Sequence, residues 1–259
     1  MLSRRIYRKM KFTYEAYTRM LQKIFDYGYR FVNYSNWQDK EKTVILRHDI
    51  DQDLQKAVIF SEIEKNSKLE VEATYFVLVS TNFYNVHHKT SRECMKKIIE
   101  NGGKIGLHFD ETQYSIFDED ELRGLVNKEA EILSNIIETK IEAVSMHRPS
   151  EKLLSLNLKF PNIINSYGAA YIREMKYLSD SRRYWRENIE QVIENGNYPR
   201  LHILTHPFWY MEGLEKDLKQ TLKEFVLGAS LNYYENLEDN FRDLDNELKR
   251  ADIERIINK

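Results

Sequence analysis

Short runs rich in β-branched and aromatic residues alternate with amphipathic helical patterns from residue 13 to residue 213, and no other feature restricts the fold as much. Ala73-Thr74-Tyr75-Phe76-Val77-Leu78-Val79 is the clearest strand, and Val44–Arg47, Lys104–Leu107, Ala143–Met146 and Leu201–Thr205 read as others. Tyr29–Tyr34 reads as a short edge strand and Ile163–Tyr167 as a further unit. Between them, helices are expected behind the N-cap Thr13, through Leu54 to Ile63, over Arg92–Glu100 and over Glu119–Ile137. Strands separated by helices of roughly 10–15 residues predict βαβ units and a parallel sheet, closed or partly closed into a barrel. In such a sheet functional side chains gather where strands end at their carboxyl side.

The polar residues follow that rule. Val44-Ile45-Leu46 runs into Arg47-His48-Asp49-Ile50-Asp51, Ile105-Gly106-Leu107 into His108, Val144-Ser145-Met146 into His147-Arg148, and Ile203-Leu204-Thr205 into His206. Charges are costly to bury without partners, so such clusters at strand ends point to a site. Carboxylate and imidazole together suit a borderline divalent metal, Zn first, with Co, Mn or Ni as alternatives.

Composition excludes other classes. The chain has 259 residues, 42% hydrophobic and 31% charged, as expected of an ordinary globular protein. With 39 basic and 41 acidic residues its net charge of −2 gives no case for nucleic-acid binding. The single Cys94 rules out an internal disulfide framework or a thiolate zinc cluster and reads as a packed thiol. No apolar stretch reaches the roughly 18 residues of a membrane span. Arg4, Arg5, Arg8, Lys9 and Lys11 precede no apolar core or cleavage site, so a cytoplasmic protein without a secretory signal is expected.

Taken in order, the segments over 43–210 resemble the polysaccharide deacetylase superfamily (carbohydrate esterase family 4), in a variant branch associated with surface-polysaccharide biosynthesis. Arg47-His48-Asp49-Ile50-Asp51 resembles the first motif, with Ile50 separating acids that are usually adjacent. Ala73–Phe76 is similar to the second core strand, and Gly102–His108 to the segment carrying a metal-binding histidine. Met146-His147-Arg148-Pro149-Ser150, Tyr177-Leu178-Ser179-Asp180 with Trp185, and Leu204-Thr205-His206-Pro207 resemble the remaining motifs. The family's second histidine, four residues after the first, is absent here, where Thr112 stands.

The resemblance implies a single domain over 1–259, a distorted (β/α) barrel of the polysaccharide deacetylase type with C-terminal helices over 214–259. It implies a divalent metal held by Asp51 and His108, with His147, Asp110 and Glu111 as candidates for the third ligand. Asp49 is then the general base, Arg148 its charge partner, His206 the proton donor and Asp180 the group that orients it. Trp185, Phe208 and Trp209 form an apolar wall for the acetyl methyl or a sugar face. The expected reaction is removal of an acetyl or related acyl group from an amino sugar in a nucleotide- or lipid-linked precursor of a surface glycan. A catalytically silent carbohydrate-binding or scaffold member of the same fold, or a deformylase, are the alternatives.

Several residues also have structural readings. Asp49 and Asp51 suit helix caps, His48 points away from the site by strand alternation, and His202 reads as a buried, hydrogen-bonded histidine. His87-His88 falls in a loop. In the tail, Leu237, Phe241, Leu244 and Leu248 suggest a short helical seam, packed on the chain itself or serving homo-oligomerisation.

Overall fold

The computed structural model describes residues 9–38, 41–116 and 118–257, and the chain forms two compact units, Met1–Gly213 and Leu214–Lys259. Arg4, Arg5 and Arg8 of the basic start lie outside the described residues. In the first unit eight strands make one sheet: β1 (Arg30–Phe31), β2 (Thr43–Ile50), β3 (Ala73–Leu78), β4 (Lys104–Phe109), β5 (Ala143–Met146), β6 (Ile164–Asn165), β7 (Lys176–Ser179) and β8 (Arg200–Thr205). Their order is β6-β5-β4-β3-β2-β8-β7, every pairing is parallel, and β1 pairs with β2 beside the start of β3. No pairing joins β6 to β7, so the barrel is distorted and open along one seam.

Helices α1 (Tyr14–Asp26), α2 (Leu54–Ser67), α3 (Lys89–Glu100) and α4 (Glu119–Ile137) are the long ones, followed by the short α5 (Glu151–Ser155), α6 (Ala169–Ile172) and α7 (Ile189–Asn195). Thr13 caps α1 through Ala16 N, as its sequence position suggested. Asp53 caps α2, accepting from Gln55 N at 2.9 Å and Lys56 N at 3.2 Å. That cap leaves Asp49 and Asp51 free for other work.

Strand alternation divides β2 between two environments. Val44, Leu46 and Ile50 belong to the large core under the helices, whereas Ile45 packs inside the barrel with Val32, Tyr34, Trp37, Phe76, Ala143 and Met175. Arg47 and Asp49 follow Ile45 on the inner face. His48 takes the outer one, buried and bonded to Thr205 Oγ1 (2.6 Å) and Glu64 Oε1 (2.8 Å). The interior is tight: a Cβ on Gly106 would meet the Phe76 ring at 2.6 Å. His202 lies there too, fully buried between the Tyr34 hydroxyl (2.9 Å) and the Tyr171 carbonyl (3.1 Å).

The second unit consists of α8 (Leu218–Glu238), α9 (Leu244–Glu247) and α10 (Arg250–Ile257). The seam expected through Leu237, Phe241, Leu244 and Leu248 is not one helix. The chain leaves α8 at Glu238, passes through left-handed Asp243 (φ 59°), and folds back so that Arg250 meets Glu235 at 3.0 Å. Tyr234 fastens the turn, its hydroxyl donating to Asp245 (2.6 Å) with the Leu248 carbonyl 3.1 Å away. Among the described residues no helix is long and apolar enough to cross a membrane.

Candidate active site

Five strand ends build the site. β2 carries Asp49 and leads into Asp51, β4 carries His108, and His147 follows β5. Asp180 and His206 directly follow β7 and β8.

Asp51 Oδ1, His108 Nε2 and His147 Nδ1 converge. The carboxylate oxygen is 3.2 Å from His108 and 3.3 Å from His147, and the two imidazole nitrogens are 3.1 Å apart. His108 Nδ1 lies 3.1 Å from the Ser145 carbonyl, to which it must donate, and this turns the lone pair of Nε2 toward the other two atoms. Asp51 Oδ1 is buried without a hydrogen-bond partner. Lone pairs facing one another at such distances repel unless protons or a cation lie among them. Ligands about 2.0–2.1 Å from a tetrahedral ion stand about 3.3 Å apart, so the three separations fit a shared metal. The Asp51-His108-His147 group could therefore hold a divalent metal ion.

Asp110 and Glu111 have other partners. Asp110 accepts from Thr112 N (3.1 Å), Thr112 Oγ1 (2.7 Å) and Arg148 (3.2 Å). Glu111 accepts from Ser150 N. Neither belongs to the Asp51-His108-His147 group, and Thr112 serves the turn at Asp110.

Asp49 is 3% exposed, and its partner is not the one the sequence suggested. Arg148, expected beside it, has a side chain 68% exposed and pairs with Asp110 from a left-handed backbone (φ 46°). Arg47 takes its place, fully buried, with Nη2 2.8 Å from Asp49 Oδ2 and Nη1 2.8 Å from Ser166 Oγ. The Tyr167 ring lies 4.9 Å from the guanidinium carbon. The signal was present in the sequence: positions 47, 49 and 51 share one face of a strand. Burial works to raise the Asp49 pKa, but Arg47, then His108 and His206, outweigh it and hold the carboxyl below its ordinary value. Burial likewise opposes ionisation of Asp51, and His108 and His147 hold it well below the usual carboxylate range. Asp49 Oδ1 is a second buried oxygen without a hydrogen-bond partner.

On the other flank, His206 Nδ1 is 2.6 Å from Asp180 Oδ1, and Asp180 also accepts from the His206 backbone N–H at 3.1 Å. This leaves Nε2 facing Asp51 Oδ2 at 4.0 Å. Burial disfavours the imidazolium, yet Asp180, by charge and hydrogen bond, with Asp51 and Asp49, pushes the pKa up to about 9.

The three aromatic residues expected as a wall behave differently. Trp185 is 2% exposed and fills the core, and Phe208 is 4% exposed. Trp209, half-buried and edge-on to Phe208 at 4.9 Å, is the one with accessible surface.

No family profile matches the chain, and no curated protein matches it in sequence. Solved structures do. A CE4 family pseudoenzyme from Bacillus anthracis matches at 15% identity and TM-score 0.44, over 72% of this chain and 61% of its own. A family 4 carbohydrate esterase from Bacillus anthracis matches at 17% and 0.41, over 89% and 90%. The polysaccharide deacetylase Bc1974 from Bacillus cereus matches at 16% and 0.40, over 64% and 79%. The chain thus spans less than two-thirds of the pseudoenzyme's length.

Proposed function

We propose that the chain is a metal-dependent hydrolase that removes an acetyl group from an amino sugar in a surface-glycan precursor, with Zn the first candidate for the metal. The convergence of Asp51, His108 and His147 at 3.1–3.3 Å, between an ionised carboxylate and a protonated imidazole, carries the reading. Amide hydrolysis needs an activated water, a polarised carbonyl and a proton for the departing amine. A divalent ion held by these three residues supplies Lewis acidity for the first two needs.

The chain's own groups supply the rest. Asp49 accepts a proton through Oδ1, the oxygen that Arg47 leaves free. A carboxylate held this acidic is ionised at neutral pH and able to take up a proton. His206, oriented by Asp180, donates from Nε2 to the leaving nitrogen. Half-buried Trp209 offers the acetyl methyl or a sugar face an apolar contact.

The test is metal content and released acid together. Protein purified without a His-tag should hold about one equivalent of a transition metal, lost in both His108→Ala and Asp51→Ala. It should release acetate from acetylated sugar nucleotides or lipid-linked precursors. Formate in place of acetate would redirect the reading to deformylation. No metal uptake from added Zn, Co, Mn or Ni would sink it.

A further inference from the structure

The C-terminal unit has no core of its own: among its described residues only Thr221 and Tyr234 are buried. A unit this small is marginal by itself and calls for a partner surface. Its main element, α8, runs for 21 residues, about 30 Å. Leu218, Leu222, Val226, Ala229, Tyr233 and Leu237 fall on one side of it, within about 100° of arc around the helix axis. All six are exposed, the five large ones by 38–66%. A continuous apolar stripe left open in this way marks an interaction surface.

We propose that this side of α8 pairs, antiparallel, with the same side of a second copy of the chain. The stripe is palindromic: its spacing of 4, 4, 3, 4 and 4 residues is the same from either end, about a midpoint between Leu227 and Gly228. A two-fold axis at that midpoint sets Leu218 opposite the partner's Leu237, Leu222 opposite the partner's Tyr233 and Val226 opposite the partner's Ala229. That is the self-complementarity an isologous interface requires. Charge selects the same direction. Within α8, Lys219 and Lys223 stand in the first half and Glu235 and Glu238 in the last, the reverse of what the helix dipole favours. The remaining charge, Glu224, is paired with Lys216 at 2.6 Å. In an antiparallel pair each lysine-bearing end lies beside the acidic carbonyl end of the other helix, whereas a parallel pair sets like ends together. Docking on another surface of the same chain calls for neither the palindrome nor the reversed charges. The pairing is independent of the deacetylase reading.

The experiment is sedimentation equilibrium of the full-length protein at tens of micromolar. A mass of twice 31.1 kDa is expected. Leu222→Glu/Tyr233→Glu buries carboxylates against each other in the pair and should weaken it by roughly a hundredfold or more, returning the mass to that of one chain. Leu218→Cys/Leu237→Cys keeps the stripe apolar, which separates loss of pairing from misfolding. On mild oxidation it should link two chains by disulfides, while neither single variant does, because each new thiol meets only the other position; Cys94 is buried and does not compete. A monomer at that concentration overturns the proposal and leaves the stripe to a different protein or to another surface of the same chain. A dimer that survives both glutamates, or one that cross-links through either single cysteine, overturns it as well.

Discussion

Arg47 is a cation without access to water, and its charge is affordable because Asp49, Ser166 and the Tyr167 ring surround it. Removing one member of a buried pair leaves the other uncompensated. Arg47→Met should therefore lower stability by about 3–5 kcal/mol, and the double variant Arg47→Met/Asp49→Leu should recover most of that loss, as read by urea unfolding. A double variant no more stable than the single one would show that the pair is not the source of the cost. For His206, NMR titration of the metal-free protein should give a pKa of about 9, falling toward the ordinary value of 6.5 in Asp180→Asn. An unchanged midpoint would remove Asp180 from its role. At this scale the sequence was informative about residue types and less so about partners. Asp49, Asp51, His108, His147 and His206 were visible as polar residues ending apolar runs. Arg148 was assigned to Asp49 from motif order, whereas the pairing is set by the side-chain period of β2, which brings Arg47 to the same face. That Asp110 and Glu111 are spent on the turn after β4 and on Ser150, whereas His147 lies beside Asp51 and His108, is a matter of geometry that the sequence does not display.

Elements were legible where their period had room to repeat. The five longer strand signals and the four long helices lie where apolar periodicity and caps put them. The strand β7 escaped notice because it has four residues, begins with a lysine and is mostly half-buried. Helices α5, α6 and α7, at 5, 4 and 7 residues, are too short to display a 3.6-residue repeat. The tail misled for a different reason. Apolar spacing continues past Glu238, and neither Gly nor Pro marks the turn at Asp243, so the pattern reads as one helix where the chain reverses. Packing inside the barrel gives a prediction at this scale. Gly106→Ala places a methyl 2.6 Å from the Phe76 ring between β3 and β4, which should cost about 1–3 kcal/mol by thermal unfolding. A neutral result would mean that Phe76 has room to turn.

For the whole molecule, two buried histidines set opposite limits on pH stability. His202 is held neutral: burial, then the Arg47 charge, lowers its pKa to about 3. Unfolding lets it protonate near 6.5, so its contribution is complete above 6.5 and is lost as pH falls toward 3. His206 is raised, so its contribution is full below 6.5 and is lost as pH climbs through about 9. Between pH 7 and pH 4.5 wild type should lose on the order of 2–3 kcal/mol that His202→Asn does not lose, measured by urea unfolding of metal-free protein. Parallel pH profiles would mean that His202 is already free to protonate in the folded state.

The open seam between β6 and β7 has a mechanical consequence. Ladder hydrogen bonds are missing there, and Arg47 reaches from the middle of the sheet to Ser166, just beyond the β6 edge. The guanidinium is a tie-rod through the barrel interior, from β2 to the chain after β6. The strut of the barrel and the charge partner of Asp49 are therefore one side chain, and a variant chosen to alter the Asp49 carboxylate through Arg47 would also loosen the hold on the β6 edge.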